Sequence, residues 1–568
     1  MAIGSFCLVL HGHLPYVLRH GEWPHGEDWL YEAAAETYLR ILSMLGKCEF
    51  MNGNPRITIG LTPVLLEQLS HDDFKNGFDR YLSDRIERAG ADKADFEKDQ
   101  DTHFADLAEN WVRFYTDLKK QFADINRDIP GAFAEFSRKG SVEILTSSAT
   151  HAYLPLVYED AGIFAQLRAG MASSERILGL RPGGLWLPEC AYRPPGPWHP
   201  PVCWGDPRER QGIETFLNAR DITHFFVEDS LIRNSRSEWV RNGEWKKIGW
   251  DEAPKYPDRG WNSVHEPFFV ASDGTARGDT MVLARDPDVC EKVWSGDVGY
   301  PADGVYLEFH KKKGERRGLR YWKVTQSQSG LGEKDPYYPG DIQGKIHEHA
   351  KNFCDHVKQR LQHHHSRTGR YGVVTACFDA ELFGHWWFEG PSFLRDVVLT
   401  LNADPDIDMN TTSEFLEQNP PDKAVSLPEG SWGDGGDHRV WTNDSVNWMW
   451  EMEYRCETLF GKLTFELPWE ERDDIRKVLE KCGRELLLLQ ASDWPFVITR
   501  GQAVDYGIKR FTQHVSRFEC LAEIAQRMAD DSGYLNRLTE VQKFEMKDSD
   551  IHDVIFPHID LNWWSTFD

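Results

Sequence analysis

The chain has 568 residues, 40% of them hydrophobic and 12% aromatic, with 22 Trp and a formal net charge of −26. That length exceeds one ordinary core and predicts a large domain plus at least one more, while the composition excludes a disordered or collagen-like chain. The charge excludes non-specific binding to nucleic acid or an anionic membrane and leaves a neutral polymer as the compatible partner.

No apolar run approaches the ~20 residues that span a bilayer. The start Met1-Ala2-Ile3-Gly4-Ser5 has no basic region of the kind that opens a signal segment, so a cytoplasmic location is expected. The ten Cys are scattered without any Cys-x-x-Cys, which fits reduced thiols and neither a disulfide framework nor a zinc ribbon. The excess of Trp suits sugar-ring stacking, with core packing as its alternative.

In chain order, short apolar runs predict buried strands at Phe6–Leu10, Ile57–Ile59, Val142–Leu145, Leu185–Leu187, Phe225–Val227 and Val373–Phe378. Helical patterns lie between them, for example Trp29–Leu45 and Ile163–Ile177. Strand and helix in alternation predict a parallel sheet and an α/β class, in which chemistry collects at the C-terminal ends of the strands. Residues 1–229 and 268–405 are therefore expected to form one catalytic unit. Periodicity disappears over 230–267, a polar stretch carrying Trp239, Trp245, Trp250 and Trp261, which predicts an inserted loop or small subdomain. From about residue 406 to 568 the pattern reads as helical, most clearly where Val504, Ile508, Phe511, Val515, Phe518, Leu521, Ala525 and Met528 stripe one face of a long helix. His363-His364-His365 reads as a solvated turn.

Four segments gather ionisable side chains among aromatics: His11–Pro15, Trp186–Tyr192, Phe378–Trp387 and Ser431–His438. A carboxyl beside Trp at the end of a buried strand is desolvated, which raises its pKa toward the range useful for acid or nucleophile chemistry. Glu189 and Asp379 fit such surroundings best. Two carboxyls flanking a sugar bond are the minimum equipment for glycoside cleavage, and helix-capping or ion-pair duty is the alternative. His11 and His13 are open to two readings, metal ligation or hydrogen bonding to sugar hydroxyls.

These segments, with Gly60-Leu61-Thr62-Pro63 and Trp432–Trp441, resemble the ordered motif set of glycoside hydrolase family 57. The resemblance implies an incomplete (β/α)7 barrel with an inserted subdomain and a C-terminal helical domain. It implies Glu189 as nucleophile and Asp379 as general acid/base of a retaining mechanism, with Glu381 in a supporting hydrogen-bond role. It further implies substrate contacts from His11, His13, His151, Tyr256, Trp294, Trp432, Trp441 and Asp493, no cofactor and no metal. Within the family, Trp294–Pro301, Ser431–His438 and Ser492–Phe496 are most similar to branching enzymes, so the expected partner is an α-1,4-glucan and the expected state a monomer. The inserted stretch departs from the family pattern. Amylase or 4-α-glucanotransferase activity is the alternative within the family. A glucan-binding homologue without activity and a metal-dependent deacetylase are the alternatives outside it; for the latter, no His-x-x-x-His accompanies the strand-end aspartate.

Overall fold

The computed structural model describes residues 2–242, 244–247, 262–271, 280–326 and 328–564. Seven parallel strands form its centre: β1 (Gly4–Gly12), β2 (Ile57–Leu61), β3 (Val142–Leu145), β4 (Gly184–Leu185), β5 (His224–Val227), β6 (Met281–Ala284) and β7 (Gly372–Asp379). Their order around the ring is β7-β1-β2-β3, then β4-β5-β6, and a parallel bridge between Thr146 and Leu185 joins the two runs. Among the described residues no ladder joins β6 to β7; a single hydrogen bond from Asp286 N–H to Thr375 O crosses there at 2.9 Å. The architecture is thus the incomplete seven-stranded barrel expected, with six strands at the predicted places and Met281–Ala284 as the seventh.

Alternation along the strands decides what faces where. Phe6, Leu8, Leu10, Ile57, Ile59, Val374, Ala376 and Phe378 belong to the core beneath the surrounding helices, whereas Cys7, Val9, Leu145, Trp186, Phe226, Leu283, Val373 and Cys377 fill the barrel interior. The next inward position on β1 is His11 and on β7 is Asp379, and these two are paired in register at the C-terminal ends of their strands. The sheet periodicity therefore delivers both groups to the mouth of the barrel.

Around the barrel, Glu27–Ala33, Ala34–Tyr38 and Leu39–Phe50 form one helical run whose middle turn is π-helical. That wide turn brings the Tyr38 hydroxyl to Glu381. It also places Glu36 O against Gly384 (φ 116°), where an added Cβ would sit 1.8 Å from the carbonyl oxygen, so this turn of the active-site loop needs glycine. Between β2 and β3 two long helices, Asp72–Lys98 and Thr102–Asp124, pack through Phe74, Phe78 and Phe122.

The stretch expected to lack periodicity begins with a hairpin, Arg236–Asn242 and Glu244–Lys247, whose first strand pairs with Lys423–Ser426. Residues past 405 also return to strand twice, at Ile407–Met409 beside β1 and at Lys423–Ser426, before continuous helices begin at Asn447. Ile407–Met409 is interrupted by the exposed Asp408, and Lys423–Ser426 buries only Ala424 and Val425, so neither offers the continuous apolar run that marks the barrel strands. The long helix is Val504–Asp530, and it buries the predicted stripe except Val504, which is half-buried, and Ile508, which is 37% exposed; Gly507 takes the inward place, against Trp494 and Val497. His363–His365 form no turn: they end the helix Ile342–Thr368, with His364 buried. No helix of the described residues is long and apolar enough to cross a membrane.

Candidate active site

Loops at the C-terminal ends of β1, β3, β4 and β7 meet a segment of the helical region at one cluster of polar groups. Glu189 follows β4 in a tight turn with φ 61° and ψ 20°, and Cys190 and His151 also hold left-handed backbone at φ 48° and φ 59°. Such conformations cost of order 1–3 kcal/mol each for residues with a Cβ and persist where the surroundings fix them. Here Trp432 N–H bonds to Glu189 O at 3.0 Å, Tyr192 and Gly430 form a bridge, and Ala152 bridges Ala491. The sequence-distant segments 430–432 and 491–493 are thereby stitched onto the loops after β4 and β3.

The Glu189 carboxylate accepts from Trp432 Nε1 at 2.8 Å and from Ser492 Oγ at 3.3 Å. Burial is the largest influence on it and pushes its pKa up to about 7; Asp493 adds to the rise, while Trp432, His13 and Ser492 oppose it. Asp379 has its carboxyl well above the usual carboxylate range, first through burial and then through the charges of Glu381 and Glu189, with Arg285 opposing. Among the described residues no side chain donates a hydrogen bond to Asp379. The two environments thus sort the pair: donors favour an ionised Glu189, and their lack leaves the proton with Asp379. Glu381 accepts from Tyr38 and from His13 N–H at 3.2 Å, the supporting role expected of it.

His13 bonds Thr62 Oγ1 through Nδ1 at 3.0 Å and Asp493 through Nε2 at 3.0 Å. Burial alone would lower its pKa, but Asp493, with Glu189 and Glu381, turns the net shift upward. Its neighbour His151 is lowered well below the usual histidine range by burial and by the adjacent imidazoles, as is His11. The three rings stack, His13 on His151 with centroids 4.0 Å apart, and His11 lies on Trp186 at 4.7 Å.

Of the expected aromatic contacts, Trp432 is on the nucleophile candidate, and Trp294 stands edge-on to it at 6.0 Å with its Nε1 donating to Cys377 O. Trp441 is not part of this cluster. It is 1% exposed and stacked on Tyr153 at 4.5 Å, within a group that includes Trp450 and Phe496. Tyr256, Trp250 and Trp261 lie outside the described residues. Trp186, Thr62 and Ser492 lie in segments that the sequence marks out but were not named as site residues, and Tyr38 was not singled out.

Residues 7–428 match the family model described as glycosyl hydrolase family 57. The chain belongs to glycosyl hydrolase family 57. Residues 454–564 match a second model, described as the C-terminal region of 1,4-alpha-glucan branching enzyme. A 1,4-alpha-glucan branching enzyme of Thermococcus kodakarensis is 36% identical over 562 residues, which cover 98% of this chain and 79% of that protein. Among solved structures, the family 57 branching enzyme of Pyrococcus horikoshii has a TM-score of 0.87 at 36% identity and covers 100% of this chain and 97% of that one. The alpha-amylase of Thermotoga maritima reaches 0.80 at 26% identity, covering 100% and 99%.

Among the described residues of this family 57 chain, two groups set three possible metal-ligand atoms within 4.8 Å of one another: His13, His151 and Asp493 at the site, and Glu485, His514 and His552 in the helical region. Hydrogen bonds occupy these atoms in both, with His151 bonded to His11 and Ser492. His13 lies 3.0 Å from Asp493, and Glu485 lies 2.7 Å from His514 and 2.5 Å from His552. Atoms that share a proton at such distances are satisfied without an ion. Chelation by EDTA is accordingly expected to leave the turnover rate unchanged, and a chelator-sensitive rate restored by a transition metal would contradict that.

Proposed function

We propose that this chain is a 1,4-α-glucan branching enzyme that acts as a cytoplasmic monomer without a cofactor. Two observations support the reading together. A pair of desolvated carboxyls, Glu189 and Asp379, stands at the strand ends of a family 57 barrel, and residues 454–564 match the branching-enzyme C-terminal model. The second carries the choice of branching over other glucan chemistry.

In the first half-reaction Asp379 gives its proton to the glycosidic oxygen as the C1–O bond breaks, and a Glu189 oxygen bonds to C1. The leaving chain departs with the proton. In the second half the 6-hydroxyl of another glucan gives its proton to Asp379 while its oxygen replaces Glu189 at C1. Two displacements retain the α configuration. His13, its ring nitrogens held by Thr62 and Asp493, stands with Asp493 beside the carboxyl pair for contact with substrate, and Trp432 and Trp294 offer ring faces and edges to the sugar. Trp441 supports them from behind Tyr153, and Tyr256 keeps the role that the family resemblance gives it.

The reading is tested on linear amylose by proton NMR. Branching adds α-1,6 anomeric signal with almost no gain in reducing ends. A gain in reducing ends alone would favour hydrolysis, the activity of the Thermotoga maritima relative, and longer linear chains would favour 4-α-glucan transfer.

A further inference from the structure

We propose that His11, His151 and Ser492 form a directional hydrogen-bond chain that ends on Glu189 and fixes its carboxylate as an acceptor, with Ser492 as the positioning residue. The proposal rests on reading Glu189 as the nucleophile.

Proton counting along the chain gives it a direction. Trp432 Nε1, 2.8 Å from Glu189 Oε2, can only donate. On the other oxygen, Ser492 Oγ lies 3.3 Å from Glu189 Oε1 and 2.8 Å from His151 Nδ1, and the hydroxyl has one proton for two partners. His151 Nδ1 is itself 3.8 Å from Glu189 Oε1, too far for a direct bond, so the serine is the bridge. His151 Nε2 lies 3.0 Å from His11 Nε2. At the far end His11 Nδ1 is buried with no hydrogen-bond partner among the described residues, against Gly60, where even an added Cβ would come within 3.3 Å of it.

Only two arrangements of protons satisfy the interior of this chain with neutral rings. In one, His11 Nε2–H donates to His151 Nε2, His151 Nδ1–H to Ser492, and Ser492 to an ionised Glu189; His11 Nδ1 is then a bare lone pair. In the other, every proton is reversed: Glu189 is protonated and donates to Ser492, and His11 Nδ1 becomes an N–H with no acceptor. Orphaned buried N–H groups are the rarer and costlier of the two defects. The dead end at His11 thus selects the order that leaves Glu189 as carboxylate. Neutral rings are what the site favours, because burial lowers the pKa of both His11 and His151, whereas Asp493 turns that of His13 upward.

The backbone holds the chain in place. Ser492 N–H bonds to His151 O at 3.1 Å and Ala491 bridges Ala152, so the helical region supplies the last donor to a nucleophile carried by the barrel.

The test is the acidic limb of kcat/KM against pH, measured on amylose with wild type, Ser492→Ala, Ser492→Thr and Glu189→Gln. The groups facing Glu189 are His13, His151, Asp493 and Asp379, with the Arg285–Glu228 ion pair acting on Cys190 and Arg285 on Asp379. All of them stay in place in the serine variants. Loss of one hydrogen bond to a carboxylate is expected to move the limb of Ser492→Ala upward by about one pH unit, so the rate deficit is about tenfold on the limb and shrinks toward the alkaline plateau. Ser492→Thr, which restores a hydroxyl, is expected to bring the limb back. If Ser492→Ala fails to fold, Ser492→Cys, similar in shape with a weak donor, is expected to show the same shift. A limb that does not move in either variant, or one that moves equally in Ser492→Thr, overturns the chain. Retained activity in Glu189→Gln would instead overturn the reading of Glu189 itself, and the two failures are distinct.

Discussion

Glu189→Gln is expected to abolish glucan turnover, by at least about four orders of magnitude, without loss of fold. The amide keeps the size of the side chain: its carbonyl oxygen can still accept from Trp432 Nε1, and its NH2 group can face Ser492 Oγ. What disappears is the atom that bonds C1. A leaving group that needs no proton, such as the fluoride of an α-maltosyl fluoride, is expected to give no rescue.

Stability carries a second, independent signature of the same substitution. The folded pKa of Glu189 is raised to about 7, above its ordinary value of 4.5. A raised pKa means that the folded state holds the proton more tightly, so the wild type loses stability as pH rises from about 4.5 through about 7. Glutamine has no proton to lose. The variant is therefore expected to melt with the wild type below pH 4.5 and above it near pH 8, by up to about 3 kcal/mol. A thermal melt series across that range reads the difference, and a variant less stable at pH 8 would contradict the burial of an ionisable group there.

Asp379→Asn is expected to lower the rate on amylose by about 10²–10⁴-fold, the range of a lost general acid. Its signature differs from that of Glu189→Gln. With α-maltosyl fluoride the first half-reaction needs no proton, so the glycosyl-enzyme is expected to form and to accumulate, because no base is left to deprotonate the acceptor hydroxyl. Added azide, which attacks C1 without a base, is expected to restore turnover and to yield a glycosyl azide. Equal losses on amylose and fluoride, with no azide effect, would remove Asp379 from the acid/base role. The alkaline limb of the wild-type pH profile belongs to the same group. Burial, with the charges of Glu381 and Glu189, holds its pKa well above the usual carboxylate range.

Much of this site was legible in the sequence because its parts are local. Alternation on β1 and β7 carries His11 and Asp379 inward in the same way as Cys7, Val9 and Cys377, and a carboxyl in Leu-Pro-Glu-Cys directly after an apolar run has nowhere to go but the mouth of the barrel. What was missed is either short or non-local. Met281–Ala284 is a strand of four residues, and Lys423–Ser426 joins its sheet only because Phe268–Val270 and Arg236–Asn242 lie beside it. Ser492 lies in a segment marked out beside Asp493, but its place on Glu189, 303 positions away, exists only in three dimensions. Trp441, expected as a substrate contact, stands behind the site with its face stacked on Tyr153, a placement its motif does not reveal.

The central claim is that Glu189 carries the transferred chain, and mass spectrometry of the trapped intermediate tests it most directly. Asp379→Asn is incubated with α-maltosyl fluoride, quenched in acid and digested. The account predicts a maltosyl mass increment on the peptide containing Glu189 and on no other. An increment on the peptide containing Asp379, or fluoride release with no labelled peptide, would contradict it.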